Sequence, residues 1–238
     1  MTIKDKLLAQ RIYMLLGALF ITSLVVSNLI FQKFFYWHPF GSEASGEIFG
    51  ANLFEISVGI LPYPITFLIT DLISEIYGKK RANDVVVFGI FASIFSLLII
   101  LVADTAPATS WSYVKDDMFH TVFGNTIIAV FASMMAYLLA QFIDIRIYHF
   151  WKRLTKGKHL WLRNNFSTFL SQLVDTLTIL LLLCYFEIIE WNKFKGLLVA
   201  GFLFKVIIAA LDTPFLYLCV YLFRKRFKLK VNEEIDLL

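Results

Sequence analysis

Six apolar stretches, each long enough to cross a lipid bilayer, decide what this sequence can fold into. They cover about 12–35, 53–77, 84–103, 122–145, 165–186 and 196–223. A hydrocarbon core of roughly 30 Å needs about 20 apolar residues per helix. With 59% hydrophobic and only 17% charged residues, a soluble fold is excluded. We therefore expect an all-α membrane protein of six transmembrane helices, with residues 1–238 forming a single integral membrane domain.

The basic residues are distributed unevenly between the connections of these helices. Seventeen of the 22 lysines and arginines lie before residue 12, at 79–81, at 146–163 and at 224–230. Because such residues collect in cytoplasmic loops, we expect both termini to be cytoplasmic. The net charge of +4 is then a topology signal. It gives no reason to expect a nucleic-acid partner, and the apolar stretches predict the lipid bilayer as the surroundings.

Two prolines interrupt the second apolar stretch. Pro62 and Pro64 lie near mid-membrane, and each lacks the backbone donor that a helix interior needs. We expect a kink or break at this point. Such interruptions often mark the binding site in transporters, although a kink can also be purely structural.

A carboxylate and an amide share one face of the fifth helix. Asp175 falls near the middle of its apolar stretch, where a charge costs roughly 3 kcal/mol on insertion scales. Gln172 precedes it by three residues, and the same spacing recurs at Gln141 and Asp144. Such a pair offers donors and acceptors to a planar polar group. Asp144 also fits an acid at a helix end that is balanced by local cations.

Two further acids share a face of the second helix, four residues apart. Glu75 lies close to Lys79 and Lys80 and fits an acid at the membrane interface. Asp71 lies deeper and is the stronger functional candidate.

The last helix carries the one deep cation, Lys205. It could pair with Asp212 on the same helix or with Asp175 across helices, as a structural ion pair that fixes helix packing. Three acids, Asp71, Asp175 and Asp212, share this single cation. At least one carboxylate must therefore be protonated, solvated or paired with a group outside the chain.

Four different motifs occur along the chain in a characteristic order. They are 63–72 with Tyr77 and Gly78, 137–144, 167–170 followed by 174–176, and 204–206. Together they resemble the queuosine precursor transporter family, also called vitamin-uptake-transporter-like, over helices two to six. The resemblance implies a multi-pass transport protein of the bacterial inner membrane, similar in architecture to the substrate-binding subunits of energy-coupling-factor vitamin importers. It also implies import of 7-deazaguanine bases, such as preQ0, preQ1 or queuine, for tRNA modification.

The chemistry of such a substrate suggests roles for the polar side chains. Asp175 would accept the N1 hydrogen and exocyclic amine, and Gln172 or Lys205 would donate to the carbonyl. Asp71 or Asp212 would receive the cation of an aminomethylated precursor. The aromatic candidates for stacking and the remaining candidate polar residues are Tyr63, Phe169, Phe204, Gln141, Asp144 and Ser167.

Other functions fit the sequence less well. Its histidines and cysteines lack metal-ligand spacing, and it has no phosphate-binding glycine loop, so we expect no cofactor, no metal and no enzymatic activity. One alternative is a substrate-binding subunit for a vitamin or nucleobase that needs a separate energising partner. Another is an intramembrane enzyme that uses Asp71 and Asp175 as paired acids. Proton coupling, facilitated diffusion with trapping, and a partner subunit all remain open as energy sources.

Overall fold

Long helices make up most of the chain. The computed structural model describes residues 3–36, 47–48, 51–52, 55–124, 127–156, 158–231 and 233–236. Its helices are α1 (Ile3–Ile30), α2 (Tyr63–Ile76), α3 (Gly78–Asp104), α4 (Asp116–Phe119), α5 (Ile127–Leu154), α6 (Leu160–Tyr185) and α7 (Trp191–Phe227). Four short strands, β1 (Phe34–Tyr36), β2 (Glu47–Ile48), β3 (Ala51–Asn52) and β4 (Glu55–Ser57), form two antiparallel pairs, β1 with β4 and β2 with β3.

The expectation of six transmembrane helices is confirmed. Within the described ranges, six helices are long and apolar enough to cross a membrane. The surface of the bundle is apolar, as on α3, where Phe91 and Val102 are 72% and 71% exposed. The interior holds polar side chains such as Gln141 and Asp144, both fully buried. This distribution reverses that of a soluble protein and suits lipid as the surrounding solvent.

The second helix is short and central. It packs against α1, α3, α5 and α7, so its side chains reach every other part of the interior. The predicted break at the prolines is present: Pro62 caps α2 and Pro64 lies in its first turn. The segment before the prolines, predicted to be helical from about residue 53, is not α-helical. Instead, β4 and a 3₁₀ turn (Val58–Ile60) lead into α2.

Most helix boundaries lie outside the predicted ones. The first helix begins at Ile3 and not near residue 12, and the fourth and fifth extend toward each other, to Leu154 and from Leu160. The hydrophobic pattern marks only the part of a helix inside the hydrocarbon, so it misses turns that continue beyond it. Conversely, α1 ends at Ile30, and the predicted helical residues 34–35 belong to β1.

Both ends of the chain lie at the same end of the bundle. Arg226, near the end of α7, pairs with Asp5 of α1 at 2.9 Å. The backbone N–H of Ile235 donates to the carbonyl of Ile76 at 2.7 Å. The junction of α2 and α3 is at this end too, where Gly78 adopts φ 82° and lets one helix follow another without a loop. We call this the terminal end; the connections α1–α2 and α6–α7 lie at the opposite end.

Candidate substrate site

A buried ion pair joins α6 to α7 in the middle of the bundle. The ammonium group of Lys205 donates to Asp175 and, at 3.1 Å, to the hydroxyl of Thr176. Of the two pairings that the sequence left open, the structure shows Lys205 with Asp175. Both side chains are nearly inaccessible, 9% and 6% exposed, so each depends on the other for its charge balance.

Aromatic rings pack against one side of this ion pair. The Lys205 ammonium lies 4.7 Å from the centre of the Tyr63 ring, which is a cation–π distance. Tyr63 in turn packs edge-on against the Tyr137 ring, with ring centres 5.1 Å apart, and in a tilted orientation against the Phe67 ring, with ring centres 5.5 Å apart. Of these rings, we predicted only Tyr63 as a site residue. Tyr137 begins the motif 137–144 and shares a helix face with Gln141 four residues later, and these are the sequence signals that pointed to it.

A large pocket lies on one side of Tyr63 and Lys205. Its cavity volume is about 380 Å³, within the usual range for small-molecule sites. Its walls are mostly apolar, and its polar lining includes Ser27, Asn28, Ser133, Asp175, Thr176 and Lys205. It also contacts Phe34 and Ile188, which lie in the connections α1–α2 and α6–α7. The large pocket therefore extends from mid-bundle toward the end opposite the termini.

The Asn28 side chain was not predicted as a site residue, yet it contributes to this pocket. Its Oδ1 accepts from Ser133 at 3.4 Å, and among the described residues its Nδ2 has no acceptor. A buried amide donor without a partner is costly. It is therefore a candidate for contact with a ligand carbonyl.

A small pocket lies on the other side of Tyr63 and Lys205, between α2, α6 and α7. Its cavity volume is about 20 Å³, which is room for roughly one water. Asp71, Asn164, Thr168, Gln172 and Asp212 provide its polar lining. Within the described part of the chain, Asp71 Oδ1, Asn164 Oδ1 and Gln172 Oε1 are buried acceptors without a donor. The small pocket thus attracts hydrogen-bond donors or a positive charge. Asn164 is a residue that sequence reasoning missed.

Asp71 touches a second carboxyl group behind the small pocket. The side chains of Asp71 and Asp144 are within hydrogen-bonding reach of each other. Ser171 donates to Asp144 at 2.9 Å, and Thr168 is 3.5 Å from Asp71. Asp144 is therefore not balanced by cations at a helix end, as one interpretation of the sequence had it, but is buried against another acid.

The other predicted residues lie away from the pockets. Gln141 links α5 to α2 by accepting from Thr70 at 3.2 Å, and within α5 it donates to the hydroxyl of Tyr137 at 2.6 Å. Ser167 donates to the carbonyl of Asn164 at 3.1 Å and lies near Asp144. Phe169 is half-buried and Phe204 is buried, and neither ring lines the large or the small pocket.

Glu75 is not an exposed acid beside Lys79 and Lys80, as one interpretation of the sequence had it. Its carboxylate is fully buried and pairs with Arg163 at 2.6 Å, Arg224 at 2.5 Å and Lys152 at 3.7 Å. The hydroxyl of Tyr148 also donates to it at 3.0 Å. We call these five residues the Glu75 cluster. It joins α2, α5, α6 and α7 near the terminal end. From the sequence, the basic residues of this cluster were interpreted only as cytoplasmic charges that set the orientation in the membrane.

Comparisons with known proteins identify the family of this chain. A family model described as "Putative vitamin uptake transporter" matches residues 57–219. The chain belongs to this family. A curated relative from Bacillus subtilis (strain 168), named "Probable queuosine precursor transporter", is 26% identical over 172 residues, which are 72% of this chain and 73% of the relative. No solved structure matches.

Membership in this transporter family confirms the resemblance expected from the motifs. The matched residues run from the end of β4 into α7. They include Tyr63, Asp71, Asp175 and Lys205, so the matched part of the chain contains both ion-pair residues and the ring that covers them. The protein is a multi-pass membrane protein of a family of transporters.

Proposed function

We propose that this protein imports 7-deazaguanine bases, the precursors of queuosine, across the bacterial inner membrane. One observation carries the proposal: the large pocket ends at a buried carboxylate and a buried ammonium group beside an aromatic ring. The name of the Bacillus relative supports the substrate class. The pocket supports it independently, through the chemistry of the groups at its floor.

The hydrogen-bonding edge of such a base matches this floor. Its N1–H and exocyclic amine are adjacent donors, which one carboxylate can accept as a pair. Asp175 is the carboxylate that lines the large pocket. The neighbouring carbonyl of the base would accept from Lys205 or from the unpartnered Nδ2 of Asn28. Donors and acceptors of both partners are then satisfied.

Substrate would enter by opening the ion pair. In the structure, Lys205 covers the Tyr63 ring and occupies Asp175. When the base takes the Asp175 oxygens, the ammonium group can move to the base carbonyl and uncover Tyr63 for stacking. The ion pair therefore protects both charges while the site is empty, so the structural and binding interpretations of this pair are compatible.

The two pockets suggest the direction of transport. With both termini in the cytoplasm, as the distribution of basic residues predicts, the large pocket would open to the outside and the small pocket would lie closer to the cytoplasm. The small pocket has room for about one water. We therefore interpret this conformation as open toward the outside, with the path closed beyond Tyr63 and Lys205.

Uptake in cells tests the proposal. In a host that cannot synthesise the base, tRNA queuosine content should depend on this protein and on a limiting external supply of 7-deazaguanine precursor. Asp175→Asn should lower it at least tenfold, because the amide replaces a charge-assisted acceptor with a weaker one. Asp5→Asn, the same change at an acid outside both pockets, should leave it unchanged. Full queuosine with Asp175→Asn at equal membrane levels would refute this site.

Purified protein separates transport from binding alone. We expect the protein by itself to exchange labelled for unlabelled base across a proteoliposome membrane. Binding without exchange would instead favour a substrate-binding subunit that needs an energising partner.

A further inference from the structure

Two buried carboxyl groups outside the large pocket have no part in the recognition just described. Asp71 and Asp144 are 2% and 0% exposed and reach each other from α2 and α5. Among the described residues, Asp71 Oδ1 and Asp144 Oδ2 receive no hydrogen bond. Two acids in contact and partly without donors need an explanation beyond packing.

The cations of the interior are already committed to other acids. On α7, Lys205 pairs with Asp175, and Asp212 is a further acid that faces the small pocket beside Asp71. On α6, Arg163 is the cation nearest Asp71, but it lies 2.6 Å from Glu75, the acid one turn along α2.

The remaining titratable neighbours supply no charge to the pair either. On α5, Tyr148 donates to Glu75 and Lys152 pairs with Glu75 and Glu234, while Gln141 donates to the hydroxyl of Tyr137. In the described structure, no ion pair involves Asp71 or Asp144. The hydroxyl groups of Thr168 and Ser171 are their protein donors.

Asp71 and Asp144 lie within hydrogen-bonding reach of each other. Because an ionised carboxylate is only an acceptor, two ionised groups at this distance would repel each other, whereas a single proton would let one donate to the other. We propose that Asp71 and Asp144 hold one proton between them and that this proton enters the cell with the base. The inference rests on the proposed function, since it names the coupling ion of that transport.

The position of the pair suits a proton that moves with substrate. Asp71 lines the small pocket and Asp144 lies behind it, so a water-sized space reaches one member of the pair and not the other. Asn164 Oδ1 and Gln172 Oε1 face the same pocket without donors in the described residues. A hydronium ion or a water delivering a proton would meet three acceptors there.

Charge explains why the proton and the base would travel together. With one proton, the pair carries a single negative charge. Without the proton, two negative charges would remain in a low-dielectric interior without a cation of their own. Crossing with the base bound would therefore require the proton, which leaves to the cytoplasm when the small pocket opens.

Proteoliposomes can test the coupling with 7-cyano-7-deazaguanine as the uncharged probe and the membrane potential clamped at zero. An inside-alkaline gradient of about one pH unit should concentrate the base about tenfold for one proton per base. In Asp144→Asn, the amide can still donate a hydrogen bond to Asp71, but it cannot release a proton. This variant should still exchange labelled for unlabelled base without a gradient, yet the pH gradient should give no concentration above equilibrium.

Several outcomes would overturn the coupling. They are wild-type exchange without accumulation under the pH gradient, accumulation driven only by a sodium gradient at equal pH, or full accumulation by Asp144→Asn. Failure of wild-type exchange itself would instead refute the proposed function.

The proton can also be observed without transport. Infrared spectra of the purified protein should show a protonated carboxyl band that disappears in both Asp71→Asn and Asp144→Asn, whereas Asp5→Asn should retain it. Its persistence in both variants would refute the shared proton. Asp144→Glu should restore the band and part of the accumulation, and this rescue would not be expected if Asp144 served only in packing.

Discussion

Glu75 and Asp175 are both buried acids inside the bundle, but their surroundings differ. Glu75 is paired with cations from three helices, Lys152, Arg163 and Arg224, and accepts a hydrogen bond from a tyrosine hydroxyl. It lines neither pocket. Asp175 has one ammonium group and borders a cavity of about 380 Å³. A carboxylate with several fixed partners holds helices together. A carboxylate with one partner that can move, next to open space, can exchange that partner for a ligand.

Removal of the Glu75 charge should have the largest effect on stability. Glu75→Gln leaves the Arg163 guanidinium, which is fully buried, without its anion, and breaking a buried ion pair costs about 3–5 kcal/mol. We expect little folded protein in thermal unfolding measured in detergent. Asp175→Asn is the comparison variant: it leaves one cation, Lys205, without its anion, whereas Glu75→Gln affects three, and Lys205 borders the large pocket. It should therefore unfold at a clearly higher temperature than Glu75→Gln. Equal destabilisation by both changes would remove the distinction between the two acids.

The helices and their main interruption were accessible from the sequence, because both depend on local patterns. A run of apolar residues marks a membrane span, and Pro62 and Pro64 mark the start of α2 wherever that helix packs. The sequence left Lys205 two possible partners, Asp212 on its own helix and Asp175 on the preceding one. Only the tertiary structure could decide between them.

The roles of three residues could not be predicted from the sequence, because they depend on contacts between helices. Glu75 is close to Lys79 and Lys80 in sequence, but these lysines belong to the next helix, α3, which begins at Gly78. The actual partners of Glu75 come from α5, α6 and α7. Asn28 and Asn164 are single amides near helix ends, which have no distinctive spacing. Their importance arises from unpartnered atoms facing a cavity, and such a property exists only after the helices have packed.

The aromatic side of the large pocket should show an intermediate effect, on binding rather than stability. Stacking of a base on an aromatic ring contributes about 1–3 kcal/mol, so Tyr63→Leu should weaken binding of a 7-deazaguanine base by roughly 5- to 150-fold in calorimetry. Tyr63→Phe is a sharp control, because it keeps the ring and removes only the hydroxyl, which lies close to Asp175 but makes no geometric hydrogen bond among the described residues. Its affinity should stay within about twofold of wild type. A large loss with phenylalanine would assign the role to the hydroxyl instead of the ring.

The edge of the Glu75 cluster should show the smallest effect. Lys152 also pairs with Glu234 of the C-terminal segment at 2.8 Å, but the Glu234 side chain is 44% exposed. Exposed pairs contribute about 0.2–1 kcal/mol, and Lys152 keeps Glu75 as a second anion. Glu234→Gln should therefore lower the unfolding temperature only slightly and leave uptake unchanged. Since the backbone N–H of Ile235 still bonds to Ile76, the segment should stay in place. A loss comparable to that of Glu75→Gln would mean that the cluster depends on the C-terminal segment as a whole, and not on the four helices that enclose Glu75.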